Sequence, residues 1–140
     1  MKLTKQHAGL GLPQLRIRVD LAPGCAIGPG KVSLLEAIER EGSLSVAARK
    51  LGMSYRRAWN LLADLNQSFS KSVVATAVGG ARGGGARVTE YGRSLIAAFR
   101  ALERDALRLA ARRMRGLTPS AAANAGSGKR RPVSAPLRGR

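Results

Sequence analysis

Ser54, Tyr55, Arg56, Arg57 and Asn60 fall within seven residues and offer hydrogen-bonding chemistry at helical spacing. Arginine can grip guanine O6 and N7 with two hydrogen bonds, and asparagine can do the same for adenine. Phosphate oxygens compete for the same donors and take half or more of such bonds in protein–DNA contacts. Arg56 and Arg57 therefore suit base edges and backbone alike. Ser43 and Ser45 stand where a second helix should begin, and there hydroxyls and free N–H groups can meet a phosphate. Simple capping by Ser43 is an equally good reading, and the two are compatible.

A third constellation is the stretch VGGARGGGAR at 78–87, with glycines at 79, 80, 83, 84 and 85 and arginines at 82 and 87. A nucleotide-binding loop would need GxxxxGK[ST] running straight into a helix. Here no lysine or hydroxyl follows, GxGxxG is absent, and the next residues, Ala86–Val88, read as a strand. The loop makes better sense as a hairpin tip. Gly83, Gly84 and Gly85 would let the backbone pass close to a nucleic-acid strand, and Arg82 or Arg87 could enter a minor groove or pair with phosphate. A tip without contacts is the plain alternative.

Catalysis finds no support. The chain has one cysteine, Cys25, and one histidine, His7, so an internal disulfide and a Cys/His zinc site are both excluded. No paired carboxylates or Ser–His–Asp set can be assembled. No enzyme activity, cofactor or metal is expected, and Cys25 reads as a small apolar filler.

These residues need elements to hold them. LRIRVDL at 15–21 alternates apolar and polar, the period of a half-buried strand, and 22–30 is a Pro/Gly-rich loop. Residues 31–42 read as a helix closed by Gly42. Residues 43–54 hold a short helix capped by Ser43, with Leu44, Ala47, Ala48 and Leu51 on one face and Gly52 at its end. A third helix over 54–69 has the stripe Ala58, Leu61, Leu62, Leu65 and Phe69; Trp59, beside that stripe, is expected to pack. A hairpin follows, with arms at 72–78 and 86–88. Thr89 then caps a long helix over 90–115, with Leu95, Ile96, Phe99, Leu102, Ala106 and Leu109 on one face. One small domain cannot cover such a face unless the strand at 15–21 and the first helix lie over it, so a partner helix is expected.

Composition narrows the partner. Of 140 residues, 25 are Lys or Arg and eight are Asp or Glu, a net charge of +17. That excess favours a polyanion such as DNA or RNA first and an anionic membrane surface second; the helix-turn-helix pattern points to double-stranded DNA. The five aromatic residues are too scattered for a surface that stacks single-stranded bases. No apolar run of about 18 residues occurs, and no secretory signal is read, so a cytoplasmic, nucleoid-associated protein with no membrane contact is expected. The expected organisation is a flexible N-terminus over 1–14, one domain over 15–115, and a disordered basic tail over 116–140.

The fold class follows: mostly α with small β, a winged helix-turn-helix with a long C-terminal dimerisation helix. In that arrangement the second helix of the pair enters the major groove. GPGKVSLLEAIEREGSLSVAARKLGMSYRRAWNLLADLN at 28–66 and TAVGGARGGGARVTEYGRSLI at 76–96 resemble the N-terminal DNA-binding domain of ModE-type molybdate-dependent transcriptional regulators, itself related to the LysR-type winged helix. The resemblance covers about 15–110. It implies a recognition role for Ser54, Tyr55, Arg56, Arg57 and Asn60, a wing role for Arg82 and Gly83 to Gly85, and a homodimer formed through the long helix. ModE-type regulators continue into small β-barrel domains that bind molybdate, where this chain has a basic tail, so direct molybdate binding is not carried over. A transcriptional regulator reading a palindromic operator, linked to molybdenum metabolism, is the leading expectation. A sequence-indifferent nucleoid protein and a protein-interaction accessory factor in molybdenum metabolism are the alternatives.

Overall fold

The computed structural model describes residues 14–77 and 85–117. The expectations for the N-terminus, for the basic tail beyond 117 and for the wing tip, with Arg82, Gly83 and Gly84, lie outside the described residues.

Helix α1 (Pro29–Glu41) is the centre of the molecule. Proline at its first turn costs nothing, because that N–H has no partner inside a helix anyway. Val32, Leu34, Leu35, Ala37 and Ile38 are all buried, more than one narrow stripe, because α1 is covered from several sides. Full burial of a Leu or Ile side chain stabilises by about 1.5–3 kcal/mol, so this helix anchors the core. Gly42 ends it in the left-handed region at φ 66°, with its N–H on the Ile38 carbonyl at 2.8 Å.

Helix α2 (Leu44–Lys50) follows at once. The Ser43 hydroxyl accepts from the Val46 N–H at 3.3 Å, and Leu44, Ala47 and Ala48 face inward. The two alanines keep that face thin, so the next helix can cross close by. Leu51 and Gly52, the latter at φ 67°, make the turn. Helix α3 (Tyr55–Ser68) starts on Ser54, whose hydroxyl accepts from the Arg57 N–H at 3.1 Å. Its buried residues are Ala58, Leu62 and Leu65.

The N-terminal region differs from the sequence expectation. The strand expected over 15–21 is β1 (Val19–Ala22), and the loop expected over 22–30 contains a second strand, β2 (Cys25–Ile27). They pair antiparallel, Val19 opposite Ile27 and Ala22 opposite Cys25, about a Pro23-Gly24 turn with Gly24 at φ 77°. Pro-Gly is a turn dipeptide as well as a loop signal, and three residues are too few to show alternation. Helix α1 also begins two residues earlier than expected.

The second hairpin joins β3 (Val74–Thr76) to β4 (Ala86–Val88), with Val74 opposite Val88 and Thr76 opposite Ala86. Helix α4 (Glu90–Arg113) leaves it through Thr89, whose hydroxyl accepts from the Gly92 N–H at 3.0 Å and donates to the Ser72 carbonyl at 2.6 Å. Phe99 packs into the core while Leu95 and Ile96 sit at its edge. Three helices, a hairpin and a long final helix make this a winged helix-turn-helix, mostly α with small β.

Two ion clusters tie the periphery to the core. Lys31 pairs with Asp64 and donates to the Ala26 carbonyl at 2.8 Å, joining α1, α3 and β2. Arg100 of α4 grips both Glu36 oxygens of α1 at 2.9 Å each and reaches Glu103 at 2.6 Å. The bidentate hydrogen bond from Arg100 holds the Glu36 carboxyl below the ordinary glutamate range, against the smaller opposing effect of burial. The bond to Glu36 likewise raises the Arg100 guanidinium above its ordinary value. Among the described residues no helix is long and apolar enough to cross a membrane, and no cluster of His, Cys, Asp and Glu is placed to hold a metal ion.

Candidate nucleic-acid interface

The turn between α2 and α3 leaves the first turns of α3 projecting. Ser54, Tyr55, Arg56, Arg57 and Asn60 are exposed there together. Ser54 also serves as the cap, which fixes where the helix starts and so where each side chain points. At α2, the Ser43 hydroxyl is engaged with the Val46 N–H, while Ser45 is exposed and lies 3.1 Å from Ser43, hydroxyl to hydroxyl.

The hairpin is joined to this unit by backbone. Ala86 donates its N–H to the Gly42 carbonyl at 3.0 Å, so β4 is fastened to the α1–α2 turn. Ala77 donates to the Gly85 carbonyl at 2.8 Å and closes the hairpin below its tip. Gly85 and Arg87 are exposed at that base. The other side of the hairpin is held by Asn66 of α3. Its carboxamide oxygen accepts from the N–H groups of Val73 (2.9 Å) and Val74 (3.2 Å), and its nitrogen donates to the Val74 carbonyl at 3.2 Å. Asn66 was not singled out in the sequence, where it reads as any polar residue on a helix.

The charges are sorted. From Gly42 to Thr89 the sequence has one acidic residue, Asp64, and Lys31 neutralises it. Over the same stretch Arg49, Lys50, Arg56, Arg57, Lys71 and Arg87 are exposed, and none has an ion-pair partner among the described residues. The remaining acidic side chains belong to β1, α1 and α4. The helix-turn-helix and the hairpin therefore carry an excess of exposed cations, although Arg57 shares a surface pocket with Asp20 and Asp64; that excess suits a polyanion.

Trp59 departs from expectation: it is 53% exposed instead of packed. The buried line of α3 runs through 58, 62 and 65, and a residue next to 58 is turned by about 100° away from it. The residues expected at a partner helix also separate. Phe99 is buried in its own chain, Leu95 and Ile96 are partly buried, and Ala106 is intermediate. Leu102 is 42% and Leu109 46% exposed. Leu107 is a further exposed apolar residue that the sequence reading did not name, and Leu21, expected on the apolar face of a half-buried strand, is exposed on β1. Leu21 and Leu102 line one apolar groove of about 370 Å³, floored by Ile27 and Phe99.

Fold and surface together define a winged helix-turn-helix protein with a cationic helix-turn-helix face. No family model matches the chain. Its sequence is similar to the molybdenum transport protein ModE of Azotobacter vinelandii, 41% identical over 88 residues, which are 63% of this chain and 33% of that protein. It is similar to the molybdenum-pterin-binding protein MopB of Rhodobacter capsulatus, 44% identical over 109 residues, 78% of this chain and 40% of that one. The DNA-binding transcriptional dual regulator ModE of Escherichia coli (strain K12) is 43% identical over 68 residues, 49% of this chain and 26% of its own length. The chain thus resembles ModE-type proteins, as its motifs suggest, and its matches span about a quarter to two fifths of the relatives' lengths.

Proposed function

We propose that this chain is a DNA-binding transcriptional regulator linked to molybdenum metabolism, and not an enzyme. It acts as a homodimer on a palindromic operator, with α3 in the major groove and the glycine-rich wing against the backbone or minor groove. The observation that carries the reading is the segregation of charge. A helix-turn-helix and hairpin whose described residues hold six exposed cations without ion-pair partners, and one carboxylate paired with Lys31, fit the phosphate-lined walls of a duplex. The ModE relatives, one named as a DNA-binding regulator, support the same assignment. The exposed leucines of α4 and Leu21 support a second copy at that face.

The test is fluorescence anisotropy across a salt series, comparing the DNA upstream of the protein's own gene with shuffled duplexes of equal length. A preference of about 10³-fold or more is expected. Arg57→Ala should reduce the slope of log affinity against log salt by about one, as for one phosphate contact. Equal affinities that collapse steeply with salt would instead identify a sequence-indifferent nucleoid protein. The relatives named as molybdenum-pterin-binding proteins favour one other reading, an accessory factor in molybdenum metabolism. Absence of DNA binding at low salt would turn the assignment to it.

A further inference from the structure

Helix α3 exposes two aromatic rings where solvent-facing helices usually show only polar groups. Tyr55 is 54% and Trp59 53% exposed, and they stand four residues apart, one above the other along the helix. At about 100° per residue, Arg56 and Asn60 form the row opposite the buried line, and Trp59 flanks that row. Helical side chains lean toward the N-terminus, so the indole of Trp59 covers the surface beside Tyr55, over the first turn. Neither ring belongs to the core or to the partly buried hydrophobics packed against it, unlike Phe69 and Tyr91, whose ring centroids lie 6.1 Å apart.

Resting on the assignment of α3 to the major groove, we infer that Tyr55 and Trp59 read thymine through its 5-methyl group. In the major groove the base pairs present donors, acceptors and a single kind of apolar group, the thymine methyl. Arg56 and Asn60 supply hydrogen bonds, and neither can favour a methyl. A pair of rings beside them supplies the apolar surface that a methyl needs. The chemistry predicts a recognition helix with two registers, a polar row for purines and an aromatic flank for thymine.

The full chain is used to select duplexes from a random pool. Each thymine of the selected site is then replaced by deoxyuridine, which removes the methyl and leaves every hydrogen bond in place. The wild type should lose about fourfold in affinity per buried methyl at one or two positions. Trp59→Ala should bind more weakly and lose this discrimination, Trp59→Phe should keep part of it, and Arg56→Ala should keep all of it. A defined site with no sensitivity to deoxyuridine would overturn the inference and leave the regulator reading intact. So would a Trp59→Ala protein that still distinguishes thymine from uracil, since the indole would then be touching phosphate or a protein. A pool that yields no consensus would overturn both readings.

Discussion

Replacing Asn66 by alanine should loosen the second hairpin from α3, at a cost that the hydrogen bonds allow one to work out. The bonds from Thr89 N–H to the Val73 carbonyl (3.0 Å) and from Ala77 N–H to the Gly85 carbonyl (2.8 Å) show which residues of β3 face β4. Antiparallel strands alternate, so Val74, opposite Val88, turns its own N–H and C=O to the free edge. Asn66 fills that edge as a short piece of strand would. Without its side chain the N–H groups of two buried residues, Val73 and Val74, lose their acceptor, while the Val74 carbonyl keeps the Ser72 hydroxyl at 2.9 Å. A stranded buried donor costs about 1–3 kcal/mol, and two beside a half-exposed Asn66 give about 2–4 kcal/mol in total. For a domain of this size the unfolding midpoint should fall by roughly 10–20 °C. Urea unfolding followed by circular dichroism, with an unchanged m value, measures the difference. Gln67→Ala, on the exposed neighbour, should stay within about 0.5 kcal/mol. An Asn66→Ala loss below about 1 kcal/mol would refute the reasoning, because those N–H groups would then have other partners.

Gly92→Ala should destabilise by about 2–3 kcal/mol in the same assay, because a Cβ there overlaps the Val73 carbonyl oxygen and stands 2.7 Å from Cγ1 of Val88. Stability should also fall on the acid side. Glu36 titrates lower in the folded chain than in the unfolded one, so its contribution is complete above its ordinary value of 4.5 and is lost as pH drops through the lowered one. Unfolding measured from pH 7 to pH 3 should show a shallower acid decline in Glu36→Gln than in the wild type. Leu102→Glu should give a folded monomer by analytical ultracentrifugation, with DNA affinity reduced by about tenfold or more for want of the second half-site. A Leu102→Glu protein that still sediments as a dimer would move the interface elsewhere.

Much of this architecture was legible because local rules write it. Ser43 and Thr89 each cap the helix expected of them, Ser54 stands at the expected start of the third helix and proves to be its cap, and Gly42 and Gly52 each turn the chain at positive φ. The helix-turn-helix follows from four of these positions, Gly42, Ser43, Gly52 and Ser54, which obey short-range chemistry. What was missed depends on partners far along the chain. Asn66 acts through residues beyond a turn, and Arg100 through Glu36, 64 residues away, neither of which periodicity reports. Strand β2 is too short to show a period, and its turn dipeptide reads equally as a loop. The exposure of Trp59 was within reach. Its angle of about 100° from Ala58 places it off the buried line, although its apolar type alone suggests packing.

Arg100 has one more effect, and it is mechanical. It sits near the middle of a helix whose first half packs one side, through Gly92 and Phe99, against the core and whose second half carries exposed leucines. A pin at that point is a fulcrum. From Arg100 to Arg113 the helix runs on for about 20 Å, so a tilt of about 10° at the pin sweeps its end through roughly 3.5 Å. That is about the rise of one base pair along a duplex. Angular play at a single guanidinium–carboxylate joint is thereby amplified into a displacement of that size at the far end of the helix, beyond the exposed leucines.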